Sequence, residues 1–116
     1  MKTNQDHLTL RQIRFQAAED AAAQWRFSEA EVTARALNLK FDLLMGRAVT
    51  LPSGELRTLD DIVLNGETGL STLLDWCRPA AEASLRRELL AVYHQEIHDL
   101  ERTEAWYAAQ PPAVIS

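Results

Sequence analysis

His94, His98 and Glu101 are spaced four and three residues apart, in a stretch free of glycine and proline. On a helix such side chains point the same way, and two imidazoles with a carboxylate can share a zinc or similar ion. The spacing lacks the HExxH order of a zinc protease and the Glu-x-x-His pairs of a di-iron bundle. With Leu89 at 0° on a helical wheel, His94 and His98 fall near 140° and 180°, away from the apolar stripe at about 20–40°. A solvated helix face is therefore the expectation, and a metal- or small-molecule-binding bundle using His94, His98 and Glu101 is the alternative. No cofactor is implied.

The other chemically capable residues read the same way. Cys77 is the single cysteine, with Arg78 beside it and no histidine near it in sequence. A nucleophilic thiolate needs a base or a positive environment, so a small buried hydrophobe is the simpler reading. Asp60, Asp61 and Glu67 form an acidic cluster, but the two aspartates fall in a helix's first turn, where the dipole favours them. Residues 59–77 can be read as helix, turn, helix, which makes a DNA-binding regulator the second alternative. A DNA-reading helix needs Arg, Lys, Asn or Gln toward the bases, and this one offers Ser71, Thr72 and Asp75, with Arg78 only at its end. No phosphate-binding glycine loop, dinucleotide fingerprint or Ser-His-Asp order occurs. No catalytic residue is assigned, and an enzyme is not expected.

The elements that carry these residues are helical. Six of the eight glycines and prolines fall between residues 46 and 79, so helices flank a connector. Thr9 with Gln12, Ser28 with Glu31 and Thr58 with Asp61 are three capping-box patterns. They predict a first helix with Leu10, Ile13, Ala17, Ala21 and Trp25 on its core face, a second over about 29–45 ended by Gly46, and a short third ended by Asn65-Gly66. Val49–Leu51 and Glu55–Arg57 around Pro52-Ser53-Gly54 predict a hairpin. Ser71 is expected to cap a short helix carrying Leu73, Leu74 and Trp76. Pro79 is expected to open the last helix, running to Pro111 with Leu85, Leu89, Val92, Tyr93, Ile97, Leu100 and Tyr107 inward. At about 45 Å it outreaches a compact domain of this size, so it must bend, overhang or pair with a second copy.

The fold expected is therefore mainly α: a three- to four-helix bundle with a small hairpin-like connector and a long C-terminal helix. It is read as one domain over residues 1–116, with a frayed N-terminus at 1–8, the connector at 46–58 and a tail at 111–116. The chain is 116 residues, 47% hydrophobic and 25% charged, with net charge −5. That composition excludes wholesale disorder, and the charge argues against a dedicated nucleic-acid binder. No apolar run is long enough for a membrane span, and no secretory signal is visible. A lone cysteine suits a reducing, cytoplasmic compartment. No nucleic-acid or membrane partner is expected.

What remains is apolar surplus. On the second helix Val32, Ala36, Leu39 and Leu43 form one stripe, and Leu37, Phe41, Leu44 and Met45 form another on the far side. Phe15 lies opposite Ile13 on the first helix, and Trp106 and Tyr107 close the last one. A surface helix needs one apolar face. Two faces mean a helix sandwiched between the first and last, a homodimer seam, or a surface for another protein. The leading expectation is a non-enzymatic regulatory protein, acting as a homodimer, that masks a partner with an apolar groove and basic surroundings. Antiactivator, inhibitor, immunity or chaperone roles fit that description. Its contact residues are expected to be Phe15, Leu37, Phe41, Leu44, Met45, Trp106 and Tyr107.

Overall fold

The computed structural model describes residues 8–111. The tails expected at 1–8 and 111–116 lie outside it, apart from Leu8 and Pro111. Among the described residues four α-helices form: α1 (Leu10–Gln24), α2 (Glu29–Leu44), α3 (Leu59–Leu64) and α4 (Leu73–Ala109). Between α2 and α3 a two-stranded antiparallel sheet pairs β1 (Val49–Thr50) with β2 (Leu56–Arg57), Val49 opposite Arg57 and Thr50 opposite Leu56. A 3-10 turn at Leu70–Thr72 leads into α4. The chain is thus mainly α, with a hairpin connector and a long last helix. None of these helices is long and apolar enough to cross a membrane.

All three capping boxes close as reciprocal pairs. The Thr9 N–H donates to Gln12 Oε1 at 2.8 Å and the Gln12 N–H to Thr9 Oγ1 at 3.1 Å. Ser28 and Glu31 do the same for α2, and Thr58 and Asp61 for α3. Each box satisfies N–H groups that have no partner within the helix. Gly46 and Gly66 end α2 and α3 with φ of 81° and 63°. In both, two amides fold back: Gly46 to the Leu43 carbonyl and Arg47 to Asp42, Gly66 to Val63 and Glu67 to Ile62. That is the Schellman pattern, and its left-handed residue favours glycine.

Pro79 does not open a helix. It lies within α4, which runs unbroken from Leu73 and takes in the short helix expected at Ser71–Trp76. A mid-helix proline removes one hydrogen bond and crowds the preceding turn, at about 3 kcal/mol. Burial on both sides offsets this: Leu73 and Cys77 before it, Ala80 and Ala81 after it, are all fully packed. Burying one leucine alone contributes roughly 1.5–3 kcal/mol.

The chain divides into two compact units. The first, Gln24–Glu88, has its core at Val32, Ala36 and Leu43 of α2, Val49 of β1, Ile62 of α3, and Leu73, Cys77 and Ala81 of α4. Arg35 joins α2 to α4, donating to both Glu88 carboxylate oxygens at 2.7 and 2.8 Å and to Ser84 Oγ at 2.7 Å. The second unit pairs α1 with α4 beyond Leu89. Its packing departs from the wheel. Leu10, Ile13, Ala17 and Ala21 are exposed, while Ala18 and Ala22 are buried and Phe15 is half-buried. The α1 face that docks is the one carrying Arg11, Arg14 and Phe15, because α4 supplies Glu101 and Glu104 as ion partners there.

Candidate functional site

The histidines are placed by that docking. Phe15 lies 4.8 Å from the His94 ring and 5.8 Å from His98. The Arg11 guanidinium lies 5.1 Å from the centre of the same Phe15 ring. His94 is therefore half-buried rather than on the solvated face expected for it, while His98 is exposed. His98 Nδ1 is 3.5 Å from Glu101, but Glu101 also pairs with Arg11 at 3.4 Å. Among the described residues no group of three His, Cys, Asp or Glu side chains converges to hold a metal ion.

Cys77 is fully buried on α4 in the first unit's core. Desolvation pushes its thiol up to about 11, and Lys40 offsets this only in part. Such a thiol stays protonated at neutral pH and is a poor nucleophile. The acidic cluster takes the structural role expected: Asp60 and Asp61 lie in the first turn of α3, where Asp61 also caps, and Glu67 pairs with Arg57 at 3.4 Å. Asp60 makes no ion pair among the described residues. Arg78, the one long cation near the suggested DNA-reading segment, is turned toward α2, where it meets Thr33 and Glu29.

The apolar surplus on α2 is the feature the fold leaves open. Val32, Ala36 and Leu43 fill the core, with Leu39 packed against them. The opposite stripe is uncovered within its unit: Leu37, Phe41, Leu44 and Met45 keep between 50% and 59% of their surface exposed. Their spacing of four, three and one residues keeps them on one side of the helix. At about 1.5–3 kcal/mol for a fully buried large side chain, the uncovered half of four such residues represents roughly 3–6 kcal/mol of burial still to be gained. Beside Leu44 a shallow pocket of about 280 Å³ opens, lined also by Gly46, Thr58, Leu59 and the unpaired Asp60.

The other expected contact residues belong to the second unit. Phe15 packs inward on the histidines. Trp106 and Tyr107 are exposed, stacked edge to face at 4.9 Å, beside a cleft with Asp99, Arg102 and Thr103. The seven therefore form no single continuous patch within either unit. The α2 quartet is the largest group on one element.

No protein-family model matches the chain, and neither a curated protein nor a solved structure does.

Ala17 and Ala21, expected on the core face of α1, line an open groove with Tyr93, Ile97 and Leu100. Which face of α1 docks depends on tertiary packing and leaves no local signal. Asp60 lies in the first turn of α3 as expected, beside the capping Asp61.

Proposed function

We propose that this protein is a non-enzymatic interaction protein that lays the Leu37, Phe41, Leu44 and Met45 face of α2 into an apolar groove of another protein and masks it. One observation carries the reading. α2 already fills its core with one face, and its second apolar face remains exposed at helical spacing. Helix-in-groove recognition uses anchors at this spacing, with an aromatic residue as the usual hot spot. Phe41 is that anchor. The net charge of −5 and the unpaired Asp60 beside Leu44 favour a partner with basic residues around its groove. Masking of this kind suits an antiactivator, an inhibitor, an immunity protein or a dedicated chaperone.

The test compares immobilised wild-type and Phe41→Asp chains in a native lysate. A protein retained by the wild type should bind Phe41→Asp at least about 30-fold more weakly, as loss of a 2 kcal/mol hot spot requires. Circular dichroism of the variant should stay helical. Equal retention by both chains would sink the reading.

A further inference from the structure

We infer that α2 also pairs with α2 of a second copy of this chain, antiparallel about a two-fold axis at Leu37, and that the pair closes this face to other proteins. The pairing uses the open face on which the proposed function rests, and supplies its regulation. A gradient of size and charge along the helix points to a second copy.

The exposed side of α2 carries Ala30 and Ala34 in its first half, Leu37 near its middle, and Phe41, Leu44 and Met45 in its last half. At 100° per residue these positions share one side of the helix. The face is thus shallow at its N-terminal end and bulky at its C-terminal end. Laid antiparallel on itself, it sets Phe41 of each copy beside Ala34 of the other, and Leu44 over Ala30. The alanines let the helices approach toward the short end of the usual separation of about 8–10 Å. A parallel pair would set bulk on bulk and leave a gap at the alanines, whose lining loses its contacts.

Charge follows the same gradient. Glu29, Glu31 and Arg35 in the first half sum to −1, and Lys40, Asp42 and Arg47 in and just after the second sum to +1. Antiparallel pairing sets each acidic end beside a basic one and the two helix dipoles head to tail. Glu29 and Arg35 are held within their own copy by Arg78 and Glu88. Glu31 and Arg47 are the pair left to meet. Glu31 uses Oε2 for the cap, and its Oε1 has no partner among the described residues. Arg47 reaches back to Asp42 at 2.9 Å and keeps 61% of its side chain exposed. Asp42 lies about 20° from Glu31 around the helix, so Arg47 and Glu31 share one flank. A two-fold axis across the helices maps that flank onto itself, and both Glu31–Arg47 contacts form at once.

The four large side chains are about half uncovered, at roughly 100 Å² each. With the alanines and flanks, two copies bury on the order of 1,000 Å², the low end for specific complexes. Such a pair opens readily, which suits a reversible cover.

Light scattering of the full chain over a dilution series tests the pairing. The mass should rise with concentration from 13.1 kDa toward twice that value. Phe41→Asp should raise the concentration at half-dimerisation at least about 30-fold, with helical circular dichroism retained. Single cysteines read the geometry, because Cys77 is buried and does not compete. Under mild oxidation Leu37→Cys should form a disulfide dimer at the axis. Ala30→Cys should not, because its two copies stand about 20 Å apart. A wild type that stays at 13.1 kDa at every concentration overturns the pairing, even where the α2 face still captures another protein. So does a dimer that Phe41→Asp leaves intact, or Ala30→Cys linking as fast as Leu37→Cys. A Phe41-dependent dimer that captures no other protein upholds the pairing and sinks the masking role instead.

Discussion

Leu43 and Leu44 are neighbours in sequence and lie on opposite sides of α2: Leu43 is 0% exposed and Leu44 is 50% exposed. The pair marks the boundary between core and open face. Leu43→Ala should destabilise the chain by about 2–5 kcal/mol, through lost burial and a residual cavity. Leu44→Ala should cost less than about 1 kcal/mol. Urea unfolding of the two variants checks the contrast, and equal losses would mean that Leu44 is core as well.

Acid should unfold this protein through named carboxylates. The Thr58 amide and hydroxyl hold Asp61 below its ordinary value. Bidentate donation from Arg35 lowers Glu88, and Arg14 lowers Glu104 in the same way. A carboxylate with a depressed folded pKa adds stability above its unfolded pKa and loses it as pH falls through the folded one. Stability should thus be flat from pH 7 to about 5 in these groups and fall below about pH 4. Glu88 is largely exposed, so Glu88→Gln should cost no more than about 1 kcal/mol at pH 7 and should flatten part of the acid slope. Thermal melts at stepped pH read both effects. An unchanged slope would remove Glu88 from the set.

Cys77 should resist modification in the folded state. Its thiol is fully buried and shifted upward to about 11. Alkylation by iodoacetamide at pH 8 should be slowed in proportion to the small population of opened molecules, and should accelerate sharply in denaturant. Cys77→Ser should destabilise by about 1–3 kcal/mol, because a buried hydroxyl needs a partner. Fast labelling without denaturant would contradict the burial.

Local signals are complete in the sequence, and tertiary choices are not. The Thr9, Ser28 and Thr58 boxes and the Gly46 and Gly66 stops involve residues at most five apart, so their chemistry is complete in the sequence. The α2 core stripe was legible because Val32, Ala36, Leu39 and Leu43 keep strict helical spacing. On α1 the alanines lie all round, and the wheel selected Ile13 where the structure docks Phe15. The deciding partners, His94 and Glu104, are some 80 to 90 residues away in sequence. Pro79 obeys a local rule for helix starts, and burial of Leu73 and Cys77 overrides it. For the site, the surplus on α2 was visible as two stripes, but which one stays open depends on how α3, β1 and α4 pack.

The Phe41 face of α2 stands outside the core, open to a partner. Equilibrium urea unfolding of purified wild-type and Phe41→Asp chains is the decisive measurement. An exposed position predicts unfolding free energies within about 1 kcal/mol of each other and an unchanged helical signal. A loss of more than about 3 kcal/mol in Phe41→Asp would make Phe41 a core residue and contradict the account.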